Sequence, residues 1–581
     1  MNGKEILLCL AVFVFLFTTL IFSQNMNVYT APVFTMELWP DSGPSRKKIV
    51  DADSPLNITA ARGETESALI ALQARKPISK TVVENPAFSG SGIKADTRAI
   101  IGIRRATTYS SMAGLRYPDR YNRVSGMILP DILHSDEEAV LSAILRWDGA
   151  VPAPRQSGRT LLGAVKEKEW KYVLVTVCVP ETVSVGIYKS VVKLISDGSE
   201  QFIPVQITVR PFILERNHGR LVGISSEFSD TSNLLVIKNF ELMRDMGLTF
   251  TRIAPITSRP DAGRWFDLLR RHGIRVISQN RPPRQAGELR NVPADFRCFF
   301  YGIDEPQPKD RERKDWRKMA EHVKLSARVH AMGGLVMTSI PYSLAMELTD
   351  RKSRLYSEVS KLGVSGAYEP LDWANIGLGV QQLGRDRRAE DRNEDFYSYV
   401  SSLQGEFNSN PWNGKEIPLR KKHPWIETYY FPHGLSRYAV FGRLLFGYYL
   451  FNSKLDGAMA WTMYRVPEGS PFGESNLPIA TLAYPGNGEI YGTYSLEALR
   501  EGIDDLCYAN QAYLAIRRCL EDEKKKNKGE ELKKIFISAM APYFSLMPGG
   551  KRIDLAIPEI EESVQSTREI LSRVIIDASA E

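Results

Sequence analysis

Cysteine and histidine are scarce in this chain, with five and seven among 581 residues. Cys178, Cys298, Cys507 and Cys519 show no CxxC spacing and no neighbouring histidine pair, so the pattern argues against a structural zinc site. Cys507 and Cys519 fall several turns apart in one predicted helix, too far along its axis to bond each other, and no disulfide framework is expected. Cys178 and Cys298 read as buried thiols in β-rich segments. No histidine stands in a metal-like or triad-like setting; only His423 and His433 fall near the predicted barrel top. Neither a metal nor a cofactor is expected. A clustered basic face is also missing. The formal net charge is +7, yet runs such as Lys309-Asp-Arg-Glu-Arg-Lys-Asp315 and Arg385-Asp-Arg-Arg-Ala-Glu-Asp-Arg392 mix both signs, as solvated surface does. Without basic residues interleaved with aromatics, nucleic acid is not expected as a partner. The sequence has no internal repeat.

What is present begins with an apolar run from Ile6 to Phe22, preceded by Lys4 and followed by Ser23-Gln24-Asn25. A charged start, an apolar centre and a polar end with a small residue form an export signal, residues 1–23, read as cleaved after Ser23 rather than retained as an anchor. Cys9 sits too early in the run to be a lipidation cysteine. A membrane association is expected only if this segment is uncleaved.

Residues 28–215 carry short alternating or apolar runs between turn signals, including Leu56–Thr59, Ser67–Ala74, Tyr172–Val179, Ser190–Ile195 and Phe202–Val209. Gly186-Ile-Tyr188 and Asp197-Gly198 read as turns between them. This is the pattern of an all-β sandwich. From Arg220 the period changes. Strand candidates at Leu221–Ile224, Phe250–Ile253, Ile274–Ser278, Phe299–Ile303, Leu335–Ser339, Gly366–Tyr368, Ile426–Tyr430 and Gly457–Trp461 are separated by helical or loop segments. Eight such units predict a (β/α)8 TIM-type barrel over 219–494. A Gly/Pro-rich loop follows from Val466 to Tyr494. Ser495 reads as the cap of a long helix that opens a helical C-terminal segment, 495–581.

The densest chemical signal is Tyr301-Gly-Ile-Asp304-Glu305-Pro306. An apolar strand precedes it and Gln307-Pro308 ends that strand. Two adjacent carboxylates thus fall where the fourth predicted strand passes into a βα loop, and in a barrel of this type that is the face that carries chemistry. Tyr368 and Glu369 end the predicted sixth strand, with Trp373 just beyond. Tyr429 ends the seventh and Trp461 the eighth. Each stands where a side chain could bind substrate, and the Trp461 ring could stack on the apolar face of a sugar.

Tyr301-Gly-Ile-Asp-Glu-Pro306, together with Leu455-Asp-Gly-Ala-Met-Ala-Trp461, Tyr484-Pro-Gly486 and Leu496-Glu-Ala-Leu-Arg-Glu-Gly-Ile-Asp-Asp505, resembles glycoside hydrolase family 123 and the wider group sharing its C-terminal domain. The resemblance covers most of the chain after the signal, and its most specific part is the last string. It implies a β-N-acetylgalactosaminidase-like enzyme that works by substrate-assisted hydrolysis, with the sugar's own 2-acetamido oxygen as nucleophile. By resemblance Glu305 is the acid/base and Asp304 holds the acetamido N–H. Neighbours in sequence can divide these roles because successive side chains on a strand point opposite ways. A like charge nearby also helps to keep a proton on Glu305.

Two other readings stay open. Glu427, in Trp425-Ile-Glu-Thr-Tyr429 on the predicted seventh strand, could act as nucleophile opposite Glu305 in a double displacement, which needs carboxyls about 5–5.5 Å apart. A non-catalytic glycan-binding envelope protein on the same scaffold is the third reading, since fold does not determine function.

Overall fold

The computed structural model describes residues 26–31, 50–51, 54–104, 128–146, 151–153, 157–216, 218–226, 234–303, 317–340, 373–376, 425–430, 439–452, 457–461, 482–486, 489–544 and 558–580, and the single residues 352, 357 and 463. The chain is multidomain. One compact unit closes at Leu214 and the next begins at Glu215.

The first unit has two sheets. Its strands in chain order are β1 (Met26–Ala31), β2 (Val50–Asp51), β3 (Leu56–Arg62), β4 (Thr65–Ala74), β5 (Thr81–Glu84), β6 (Lys94–Arg104), β7 (Ile128–His134), β8 (Arg159–Leu162), β9 (Trp170–Cys178), β10 (Gly186–Ser196) and β11 (Ser199–Ile213). One sheet runs β2-β1-β4-β9-β6-β7 and is antiparallel throughout. The other runs β3-β11-β10-β5-β8 and is mixed, because β3 lies parallel to β11. The two layers touch through the buried Thr97 and Thr160 hydroxyls, 2.8 Å apart. Asp197-Gly198 forms the predicted tight turn: both residues have positive φ, which suits the twist of a two-residue hairpin. Gly186-Ile-Tyr188 is not a turn but the start of β10.

This unit is not all-β. Helix α1 (Glu137–Arg146) interrupts the strands. Its start was legible after the fact: the Asp136 carboxylate accepts from Ala139 N at 3.0 Å, and Glu137 and Glu138 occupy the first turn, where the helix dipole favours negative charge. Cys178 is exposed at the end of β9, contrary to the expectation of a buried thiol. The end of a strand, where the sheet hands over to a turn, offers little cover.

The second unit is built on a closed barrel of eight strands, β12 (Leu221–Ser225), β13 (Phe250–Ile253), β14 (Val276–Gln279), β15 (Arg297–Tyr301), β16 (Leu335–Ile340), β17 (Trp373–Ile376), β18 (Trp425–Tyr430) and β19 (Gly457–Trp461). Every neighbouring pair is parallel, and β12 closes on β19. Helices α2 (Leu234–Asp245), α3 (Ala262–Arg271), α4 (Arg317–Ala331), α5 (Ala439–Phe446) and α6 (Tyr448–Asn452) follow the first, second, fourth and seventh strands. Phe250, Phe299, Tyr301, Met337 and Met459 meet in one buried cluster, backed by Leu221, Val276 and Leu335. The short strands alternate, so these residues face inward while their neighbours face the helices.

Two strand assignments moved. The fourth strand ends at Tyr301, before Asp304. The sixth barrel strand is Trp373–Ile376; the expected run Gly366–Tyr368 lies outside the described residues. Segments this short carry little propensity signal; Trp373–Ile376 is the one in register with Met337–Ile340.

After the barrel, β20 (Ala483–Pro485) and β21 (Ile490–Gly492) pair as an antiparallel hairpin inside what reads as a loop in sequence. Helices α7 (Tyr494–Glu521), α8 (Lys526–Phe544) and α9 (Pro558–Ser579) follow. Thr493, not Ser495, caps α7: its hydroxyl accepts from Leu496 N at 3.1 Å, and Ser495 is buried within the first turn. These helices form the expected helical C-terminal region. They belong to the compact unit of the barrel. No helix among the described residues is long and apolar enough to cross a membrane, and the run Ile6–Phe22 lies outside the described residues.

The string Leu496-Glu-Ala-Leu-Arg-Glu-Gly-Ile-Asp-Asp505 forms the first half of α7 and is buried all round. Its charges form an ionic lock. Arg500 pairs with Glu497 (2.8 Å), Asp504 (2.7 Å) and Glu501. Asp505 receives Arg443 from α5 and Arg568 from α9, each at 2.7 Å. Arg568 also meets Glu501 at 2.9 Å, and Arg216 pairs with Asp504. Gly502 explains the glycine of the string. A Cβ there would sit 2.4 Å from the Arg443 carbonyl, so α5 and α7 cross with backbones in contact.

Candidate active site

The segment leading to the carboxylate pair is held from below. Tyr301 ends β15 buried, Gly302 N donates to the Met337 carbonyl (2.8 Å), and Ile303 N donates to His322 Nδ1 (3.4 Å). His322 is fully buried on α4, with Nε2 3.4 Å from the Ser326 hydroxyl. An accepting Nδ1 leaves the ring proton on Nε2, directed at Ser326. Gly302 is required by this contact. A Cβ would lie 2.6 Å from two atoms of the imidazole. Gly302→Ala is therefore expected to cost about 1–3 kcal/mol through overpacking, read as a lowered thermal midpoint. An unchanged midpoint would show that the imidazole can step aside.

Next to Tyr301 stands Arg252, near the end of β13. Its guanidinium carbon lies 3.7 Å from the Tyr301 ring centroid, and its Nε donates to Asn280 Oδ1 at 2.6 Å. Arg252 alternates with Phe250, so it faces the barrel interior. Ser278, in register with Arg252 on β14, is fully buried, and its hydroxyl has no hydrogen-bond partner among the described residues. Below this cluster Gln279 fastens the loop after β13: its Oε1 accepts from Ile256 N (2.6 Å) and Thr257 N (3.1 Å), and its Nε2 contacts Cys298 Sγ at 2.9 Å. Burial pushes the Cys298 thiol up to about 12, which leaves it an inert core group.

The residues singled out from sequence are distributed as follows. Asp304, Glu305, Tyr368 and Glu369 lie outside the described residues. Tyr429 is the penultimate residue of β18 and Trp461 the last of β19; the register Tyr429↔Ala460 and Tyr430↔Trp461 brings both to the C-terminal edge of the barrel. Glu427 lies earlier on β18, between Ile376 and Ala458. Trp373 opens β17 rather than following a strand, so its backbone stands at the opposite end of that strand from the one expected. Arg252, Ser278, Asn280 and His322 were not picked out. An arginine in the inward phase of the short run Phe250-Thr-Arg-Ile253 was the available signal.

The polar groups just described gather at the carboxyl ends of parallel barrel strands, next to the strand that delivers Asp304 and Glu305. The fold has a solved counterpart. The chain resembles a family 123 glycoside hydrolase. That enzyme comes from Clostridium perfringens; the two structures superpose with a TM-score of 0.53, covering 95% of this chain and 98% of the other at 12% sequence identity. At that identity the likeness establishes the fold. A glycosyl hydrolase family 2 member from Bacteroides cellulosilyticus, at TM-score 0.23, 11% identity and coverage of 72% and 47%, is too distant to add to it. No family model and no curated protein matches the chain.

Proposed function

We propose that this chain is an exported glycoside hydrolase that releases terminal β-linked 2-acetamido sugars, N-acetylgalactosamine foremost, with retention of configuration. One observation carries the reading: Asp304-Glu305 follows the fourth strand of a closed parallel barrel whose fold matches that of a family 123 glycoside hydrolase, an enzyme described as hydrolysing glycolipid glycan. In this reading the barrel is a complete (β/α)8 TIM-type barrel, and Ile6–Phe22 is the export signal.

Glu305, protonated, donates to the glycosidic oxygen as the bond to the anomeric carbon breaks. The acetamido oxygen of the same sugar attacks that carbon and closes an oxazolinium ring. Asp304, ionised, accepts the acetamido N–H and balances the developing positive charge. Glu305, now a carboxylate, takes a proton from water as the water opens the ring, which restores both groups. Tyr368, Glu369, Tyr429 and Trp461 would hold the sugar at the barrel mouth.

A panel of p-nitrophenyl β-glycosides tests this. The N-acetylgalactosaminide is expected to be cleaved, with the N-acetylglucosaminide next. Equal rates on the plain β-galactoside would sink the substrate-assisted scheme. The position of Glu427 on the seventh barrel strand keeps one rival alive. Trapping of a 2-fluoro sugar on Glu427 would transfer the reaction to double displacement, and no turnover of any glycoside would favour a glycan-binding protein.

A further inference from the structure

We infer that Arg252, with Ser278 and Asn280, forms an oxyanion-binding subsite at the barrel mouth, and that the sugar bound there carries a sulfate or carboxylate group. The inference rests on the placement of Asp304-Glu305 as the reacting pair, since Arg252 lies against Tyr301, three residues before Asp304.

Three observations converge. The first is the idle charge. Among the arginines of this unit, Arg443, Arg500 and Arg568 each meet buried carboxylates, and half-buried Arg270 meets Asp295 and Asp267. Arg252 uses only Nε, on the neutral amide of Asn280. Its two Nη groups have no acceptor among the described residues, and no described carboxylate lies within ion-pair distance. The second is that the neighbouring groups are donors. The Asn280 amide N–H groups have no acceptor among the described residues, and the Ser278 hydroxyl is fully buried with no partner among them. A set of donors lacking acceptors is complementary to an oxygen-rich anion.

The third is geometry. The guanidinium carbon lies over the Tyr301 ring and Nε is held by Asn280, so the two Nη groups remain as a fork, the shape that matches a carboxylate or sulfate through two parallel hydrogen bonds. One residue past Asn280, Arg281 donates to the Ser258 hydroxyl at 2.6 Å and also has no described carboxylate partner. The carboxyl ends of β13 and β14 therefore carry two arginines without a carboxylate partner among the described residues, a positive charge that would draw an anionic sugar to the mouth.

Calorimetric titration of the full mature protein tests the subsite without requiring turnover. The ligands are N-acetylgalactosamine, its 4-sulfate and 6-sulfate, glucuronic acid and inorganic sulfate; the stronger of the sulfate and carboxylate arms identifies the source of the anion. The wild type is expected to bind an anionic sugar roughly 10–100-fold tighter than N-acetylgalactosamine, as charge-assisted hydrogen bonds allow. Arg252→Gln is expected to erase that preference, Arg252→Lys to restore part of it, and Ser278→Ala to reduce it. A wild type without preference overturns the inference, as does a preference that survives in Arg252→Gln. If the preference depends on Arg252 but no glycoside is cleaved, the activity reading falls alone. If glycosides are cleaved with no preference for anions, only the subsite falls.

Discussion

Glu305→Gln is expected to cut turnover of oligosaccharide substrates by on the order of 10²–10⁴, the usual contribution of a positioned general acid. Aryl glycosides, whose leaving groups need little proton assistance, should suffer far less in the first step. Asp304→Asn should differ in kind. It weakens the internal nucleophile itself, so both substrate types should lose kcat. A thiazoline mimic of the cyclised intermediate should inhibit the wild type and bind Asp304→Asn less well. The pair of variants decides between mechanisms, because Glu427→Gln should retain appreciable activity. If Asp304→Asn is nearly silent while Glu427→Gln abolishes turnover, the substrate-assisted scheme is wrong.

The second large effect lies away from the chemistry. Arg568→Ala is expected to destabilise the barrel unit by about 3–5 kcal/mol, the range for breaking a buried ion pair from one side. Arg568 is fully buried, and its removal leaves Asp505 and Glu501 short of a counter-charge. Denaturant unfolding measures the loss; a change under 1 kcal/mol would mean that water or a neighbouring arginine replaces it. The lock also predicts acid sensitivity. Burial alone would raise the Glu501 carboxyl, but Arg500, Arg568 and Arg443 reverse this and hold it at about 2, below its ordinary 4.5. A depressed carboxylate stabilises the fold fully above about pH 4.5, and that contribution is lost as pH falls toward 2. Asp504 acts in the opposite sense, since burial raises it despite Arg216 and Arg500. Wild-type stability should therefore fall across this window more steeply than that of Glu501→Gln. Equal slopes would show that Glu501 is not the titrating group.

The lock changes the meaning of the most family-specific string in the chain. Leu496 to Asp505 has four carboxylates and one arginine on a single helix. In the fold all four carboxylates are buried: Arg443 and Arg568 reach in from helices distant in sequence to Asp505 and Glu501, while Arg500 and Arg216 pair with Glu497 and Asp504. The string binds three helices together and touches no described part of the barrel mouth. Its glycine serves a helix crossing rather than a turn.

The sequence by itself determined the change of period near Arg220, seven of the eight barrel strands to within a few residues, and the Gly302-Ile303 lead into Asp304-Glu305. These are local signals: apolar runs of strand length, glycine and proline punctuation, and carboxylates at a strand end. Only the tertiary structure decided the sixth strand, because a four-residue segment is identified by its register between β16 and β18 rather than by its own composition. It alone joined α7 to α5 and α9 through charges that no spacing rule connects. It also set Arg252 on Tyr301 beside Ser278, whose hydroxyl has no partner among the described residues, because residues from three separate strands become neighbours only when the sheet forms.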